Sequence, residues 1–414
     1  MINSAELKIK IDALTVFSDL KEDPVLQTFR ALLDSFSVPD YSRFVASLYQ
    51  STDNLSEYIR EIVLRNDNFY VKDVASGKVQ SPPITEAVKY ELMVLEEIAA
   101  VTAEDIQGKV RDRCPIDTTE IYLPGWNNSP IHLAMEFTRK LGNIHQTGYG
   151  IFARYTFFRV VDGKIVPVAH PDYQTLDELF GYERERGLII RNTEALIEGK
   201  GCNNMLLYGD MGTGKSSTIK AVAAAYSDKG LRIVEIKKNQ LFQIPDIMEE
   251  LASNPLKFIL FIDDLSFAGN DDNFSALKAT LQGSISGCAG NTVIYATSNR
   301  RHLVKENASD RMAASGVDDD LHLNDTLQET MSLAARFGLT ITFQKPNKEE
   351  YLAIVRALAD EYGILVVEDD TVASVPGALT EAELFRRAEA HAIRRNGRSP
   401  RTARQFIELL KAGL

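Results

Sequence analysis

Cysteine is scarce in this chain. Cys114, Cys202 and Cys288 are the three present in 414 residues, and no two stand in a C-x-x-C spacing. That pattern excludes a disulfide framework and a cysteine zinc site. It points to a reducing compartment in which the thiols serve as small buried hydrophobes. Long apolar runs are missing as well: stretches such as F-I-L-F-I at 258–262 are far too short to span a bilayer, and the start M-I-N-S-A-E-L-K-I-K carries no signal-type apolar region. The expectation is a cytoplasmic protein with no membrane contact. Positive charge is in deficit too, with 46 Lys and Arg against 58 Asp and Glu, a net charge of -12. Non-specific coating of nucleic acid or of an anionic membrane is therefore disfavoured, although a local basic face can sit within such a total. No internal repeat and no low-complexity tract interrupts the chain.

What is present is an ordinary globular composition, 44% hydrophobic and 25% charged, at a length that suggests two or three domains. Residues 1–150 show helical apolar periodicity, as at Leu26, Phe29, Leu32 and Leu33 and again at Val88, Leu92, Leu95 and Ile98. They read as a mainly helical N-terminal domain. The single tryptophan, in L-P-G-W-N-N, reads as a turn-anchoring aromatic, with a ligand contact as the other possibility. Residues 151–171 hold two aromatic and β-branched runs around Asp162-Gly163, the signature of a β-hairpin, which is expected to link the domains.

From 172 to 345 strands alternate with helices, with β-runs at 205–208, 231–236, 258–262, 292–296 and 339–343. This is the rhythm of a five-stranded parallel sheet with covered faces, an α/β nucleotide-binding core. After Pro346 the pattern is helical to the end, a small all-helical domain over 346–414. There N-K-E-E-Y-L-A-I-V opens one helix and S-P-R-T-A-R-Q-F opens the last behind a serine cap.

The chemistry concentrates in the core. Gly209, Gly214, Lys215 and Ser216 satisfy G-x-x-x-x-G-K-[ST] between a β-run and a helix-forming stretch, which is the context a phosphate loop requires. The whole loop, Gly209, Asp210, Met211, Gly212, Thr213, Gly214, Lys215, Ser216 and Ser217, is the expected phosphate-binding segment for ATP. Its glycines let backbone N–H groups turn to the phosphates and Lys215 reaches the terminal ones, while Ser216 is suited to Mg2+. Forty-eight residues past Lys215, F-I-L-F-I-D-D ends a buried strand with Asp263, suited to hold Mg2+, and Asp264, suited to orient the attacking water. A solvated strand end is the plainer alternative. In Y-A-T-S-N-R, Asn299 either positions water or belongs to an ordinary turn. Arg336, in A-A-R-F-G-L-T, either caps a helix or acts as an arginine finger supplied to a neighbouring subunit. Residues 381–414 carry eight Lys or Arg against four acids, a local +4. Solvated lid arginines or a nucleic-acid contact both fit that charge.

The ordered set G-D-M-G-T-G-K-S, F-I-D-D-L-S-F, A-T-S-N-R, A-A-R-F-G-L-T and S-P-R-T-A-R-Q-F resembles the AAA+ ATPases, especially the bacterial replication initiator and the Holliday-junction motor. The likeness covers residues 172–414. H-P-D-Y-Q-T-L-D-E-L-F-G-Y-E-R-E-R further resembles a bacterial family of stand-alone ATP-binding AAA+ proteins. The resemblance implies that Phe180, Gly181 and Tyr182 line the adenine pocket, that Asn299 is the first sensor and that Arg336 is the finger. Arg401 matches the second sensor, with Arg404 as its rival. The matched stretch ends without the helix-turn-helix that follows the initiator's lid, so DNA binding is not carried over. The implied protein is an ATP-hydrolysing switch or motor, homo-oligomeric, that meets a protein or nucleic-acid partner through its N-terminal domain. The alternative is a scaffold that hydrolyses ATP slowly or not at all.

Overall fold

A computed structural model describes residues 3–114, 121–265, 277, 280–281, 290–299, 336–367, 379–395 and 397–414. Two compact units divide the chain: Met1–Arg154 with Ser253–Pro255, and Tyr155–Ala252 with Leu256–Leu414.

The first unit is helical: α1 Ser4–Asp12, α2 Pro24–Ser35, α3 Val38–Tyr49, α4 Leu55–Arg65, α5 Phe69–Ala75, α6 Pro82–Ala99, α7 Ala103–Arg113 and α8 Leu133–Gly142, then the short α9 Ile144–Thr147 and α10 Ile151–Arg154. The apolar stripes at 26–33 and 88–98 fall within α2 and α6, facing one shared core. Caps fix the helix starts; Asp23, for instance, accepts from the N–H groups of Val25 and Leu26 ahead of Pro24. Trp126 is an anchor, as its position in a turn suggested. It is 7% exposed, packs edge-on to Phe44 and donates its indole N–H to the Val101 carbonyl.

The second unit is built on a seven-stranded sheet in the order β2-β1-β4-β5-β6-β3-β7. Five parallel strands form its body: β3 Met205–Gly209, β4 Leu231–Glu235, β5 Lys257–Ile262, β6 Thr292–Asn299 and β7 Leu339–Phe343. They are the five β-runs read from the sequence. The hairpin of β1 Phe157–Val161 and β2 Lys164–Pro167 is more than a link, because β1 pairs in parallel with β4 and so extends the sheet by two strands. Its aromatic and β-branched residues are what a sheet strand needs on a packed face. The helices α11 Glu183–Ile197 and α12 Lys215–Ala225 share one apolar layer with the strands, while α13 Ile244–Ala252 lies between β4 and β5 in the chain.

Beyond β7 come α14 Lys348–Glu361, α15 Glu381–Arg394 and α16 Pro400–Lys411, packed on their own core of residues such as Tyr351, Leu384 and Phe406. Asn347 caps α14, and Ser399 caps α16 as its sequence suggested. This lid is not all-helical, however. The two-residue strands β8 Val366–Val367 and β9 Leu379–Thr380 pair in parallel within it, too short for sequence periodicity to show. The architecture is a mainly parallel-sheet α/β core followed by a C-terminal, mainly helical region, and preceded in the chain by a mainly helical N-terminal region. Cys114 and Cys202 are half-buried rather than fully buried, Cys202 packing against the core of the sheet unit. Cys288 and the helix expected ahead of Arg336 lie outside the described residues. Among the described residues no helix is long and apolar enough to cross a membrane.

Candidate active site

The glycine-rich loop leaves β3 where β6 and β7 flank it, and polar side chains from the ends of β5 and β6 converge on it. Gly209 is fixed by close approach: a Cβ there would lie 2.0 Å from the Phe343 carbonyl oxygen, at a φ of 141°. Gly212, at φ 79°, leaves room for the start of α16, where a Cβ would meet Ser399 Oγ at 3.1 Å. Across that contact the Arg401 N–H donates to the Gly212 carbonyl at 3.2 Å. Lys215 opens α12 and is 6% exposed. Its Nζ donates to the carbonyls of Gly209 and Asp210 at 3.1 and 2.8 Å and to Asn299 Oδ1 at 3.2 Å. Burial pulls its pKa below the ordinary lysine value, against the carboxylates of Asp210, Asp263 and Asp264 that favour the charge.

Ser216 donates to Asp263 Oδ1 at 2.6 Å, and Thr297 donates to the same oxygen at 2.6 Å. Asp264 follows in the left-handed region at φ 51°, which costs a non-glycine residue about 1–3 kcal/mol and is found where surroundings enforce it. Here they do. Its N–H donates to Thr297 Oγ1 at 3.0 Å, the Leu265 N–H donates to the Thr297 carbonyl, and Asn299 Nδ2 donates to Asp264 Oδ1 at 2.6 Å. Asn299 is the last residue of β6 rather than part of a turn. It therefore bridges the ammonium of Lys215 and the carboxylate of Asp264 through the two ends of one amide.

These groups line a cleft of about 740 Å³ together with Phe180, Gly181 and Tyr182 and with Ile354, Leu358 and Arg401 of the lid, Gly181 lying directly against Ile354. Gly181 and Tyr182 take left-handed backbone, φ 74° and 60°, and the Tyr182 hydroxyl donates to the Gln344 carbonyl at 2.5 Å. Burial, chiefly, raises the Tyr182 pKa, keeping that hydroxyl protonated. Both rivals on α16 line the cleft: Arg404 donates to the Glu178 carbonyl at 2.7 Å and the Tyr362 hydroxyl at 3.0 Å, and the exposed Arg401 donates its backbone N–H to the Gly212 carbonyl. Arg336 does not line the cleft. It precedes β7, at the end of the sheet opposite the phosphate loop, and is half-buried. Part of the +4 stretch is paired: Arg386 and Arg387 with Glu383, and Arg398 with Glu389.

The match to a known family spans this whole unit. Residues 152–414 match the family described as "Protein of unknown function (DUF815)". The chain belongs to the DUF815 family. No curated protein matches it. Two solved structures of Thermotoga maritima RuvB, one described as the Holliday junction branch migration motor, are distantly similar to this DUF815 chain. They are 16% and 18% identical, each covering 58% of this chain and 74% of the other, with TM-scores of 0.31 and 0.29.

Sequence reading placed Lys215, Ser216, Asp263, Asp264 and Asn299, and the DUF815 fold brings them together. It missed Thr297, which orders both aspartates, and Ile354 and Leu358, which line the cleft. Thr297 has no local signature, and the two lid residues belong to an apolar stripe that reads as helix core.

Proposed function

We propose that this DUF815 chain binds and hydrolyses ATP as an AAA+ switch or motor. The observation that carries the reading is the chain Lys215, Asn299, Asp264, with Asp263 and Ser216 beside it, at the floor of a cleft closed by the lid. Backbone N–H groups at the start of α12 face polyphosphate, and Lys215 and Arg401 supply cations on either side. Phe180, Gly181 and Tyr182 receive the base. Asp264 takes up and orients the attacking water, with Asn299 aiming its carboxylate.

Ser216 Oγ and an Asp263 oxygen, 2.6 Å apart, are hard oxygen donors that fit Mg2+. Among the described residues no larger cluster of His, Cys, Asp or Glu exists, which suits an ion completed by phosphates and water. Bound there, Mg2+ neutralises charge on the terminal phosphates.

Arg336, far from its own cleft, acts on the nucleotide of a neighbouring subunit in a homo-oligomer, and the helical unit meets the macromolecular partner. The second reading, a slow or non-hydrolysing scaffold, is favoured by one observation: the short Asp264 carboxylate is already engaged by Asn299. Phosphate release from Mg·ATP separates the two. For the motor, Arg336→Ala should lose about a thousandfold or more in turnover. Mixing Arg336→Ala with Lys215→Ala should then restore hydrolysis that neither shows alone. Turnover independent of protein concentration, with nothing restored on mixing, would leave Arg336 a helix cap.

A further inference from the structure

Asp210 is the phosphate-loop residue that reaches the hinge of the lid. Its N–H donates to the Phe343 carbonyl at 3.0 Å, and its Oδ2 accepts from the Lys345 N–H at 3.1 Å. Phe343 ends β7 and Lys348 begins α14, so residues 344–347 join core to lid. On its other side, the Asp210 carbonyl accepts from Lys215 Nζ at 2.8 Å. An ammonium has three donors, and those of Lys215 are matched by Gly209, Asp210 and Asn299. Any phosphate that Lys215 contacts must displace at least one of these. Nor does anion binding call for a carboxylate at this position, where like charge opposes the ligand. The hinge contact gives that carboxylate a purpose.

We propose that Asp210 is a positioning residue that latches the core–lid hinge while the phosphate loop is empty and releases it when polyphosphate binds. This rests on the ATP reading above. When Lys215 turns to the phosphates it leaves the Asp210 carbonyl, and the new negative charge repels the Asp210 carboxylate. Both changes weaken the bond to Lys345, and the lid is freed to turn.

The test is a distance measurement in the full chain, between labels at the exposed positions Asp228 in the core and Ile393 in the lid, with and without saturating Mg·ATP. ATP uptake is titrated in the same samples. Wild type should shift its distance on ATP binding. Asp210→Ala should lose the shift and hold one distribution in both conditions. Asp210→Asn, which keeps an oxygen for the Lys345 N–H, should restore the nucleotide-free distance. Lys345→Pro, which removes the donor without touching the phosphate loop, should reproduce Asp210→Ala. A full shift in Asp210→Ala or in Lys345→Pro overturns the latch. So does a wild-type chain that takes up ATP and keeps one distance, which leaves the nucleotide reading standing. A chain that takes up no ATP overturns both.

Discussion

Among the described residues Lys140 and Lys215, one in each unit, both have desolvated ammonium groups, and their surroundings differ. Lys140, at the end of α8, has its Nζ out of solvent with no hydrogen-bond partner. Burial, with the nearby charge of Arg65, pushes its pKa down to about 8. Lys215, in the sheet unit, is more deeply buried by exposed area, yet it has three acceptors and three carboxylates around it. The difference teaches that a buried cation is not by itself a site. Desolvation disfavours both charges, but only Lys215 sits among groups arranged to hold an ammonium that a polyanion can then claim.

The largest effect that would sharpen this contrast is on Lys215. Lys215→Ala should abolish measurable ATP binding in calorimetry and cut turnover by about 10²–10³ or more, the scale of losing one preorganised charge contact. Undiminished binding would put the two lysines in the same class. Asp264→Asn should come next. It keeps an acceptor for Asn299, so ATP stays bound, while phosphate release falls by roughly 10²–10⁴ with the loss of a proton acceptor. Normal turnover would move the water-orienting role elsewhere.

The smallest effect belongs to Lys140 and has the opposite sign. Its pKa is lower in the fold than the ordinary 10.5, so the unfolded chain binds the proton more tightly. The cost to stability is complete below about pH 8 and fades as pH rises from there to 10.5. Lys140→Met should therefore stabilise the helical unit by roughly 1–3 kcal/mol at pH 7, and the gain should shrink through that window. Urea unfolding followed by Trp126, the single tryptophan, reads this unit alone. A destabilised variant, or a gain that does not change with pH, would mean that Lys140 has a partner after all.

The sequence by itself determined the elements and the phosphate loop. Strand, loop and helix from Met205 to Ala225 are contiguous, and glycine conformations, a helix N-terminus and an apolar β-run are local properties that residue order records. The five parallel strands were legible for the same reason, and so was the serine-capped start of α16. The two-residue strands of the lid were not, because no periodicity is visible at that length.

Only the tertiary structure decided how polar groups share the site. Lys215 meets Asn299 across 84 residues, and Arg404 meets the Glu178 carbonyl across 226. Arg404 and Arg401, one helical turn apart, thus take different partners, a distinction that residue order does not record. It also took the fold to put Asp210 on the hinge and Thr297 on the aspartates. Hydrogen bonds form over about 3 Å of space whatever the separation along the chain, so which donor finds which acceptor is settled only when the sheet aligns its strand ends.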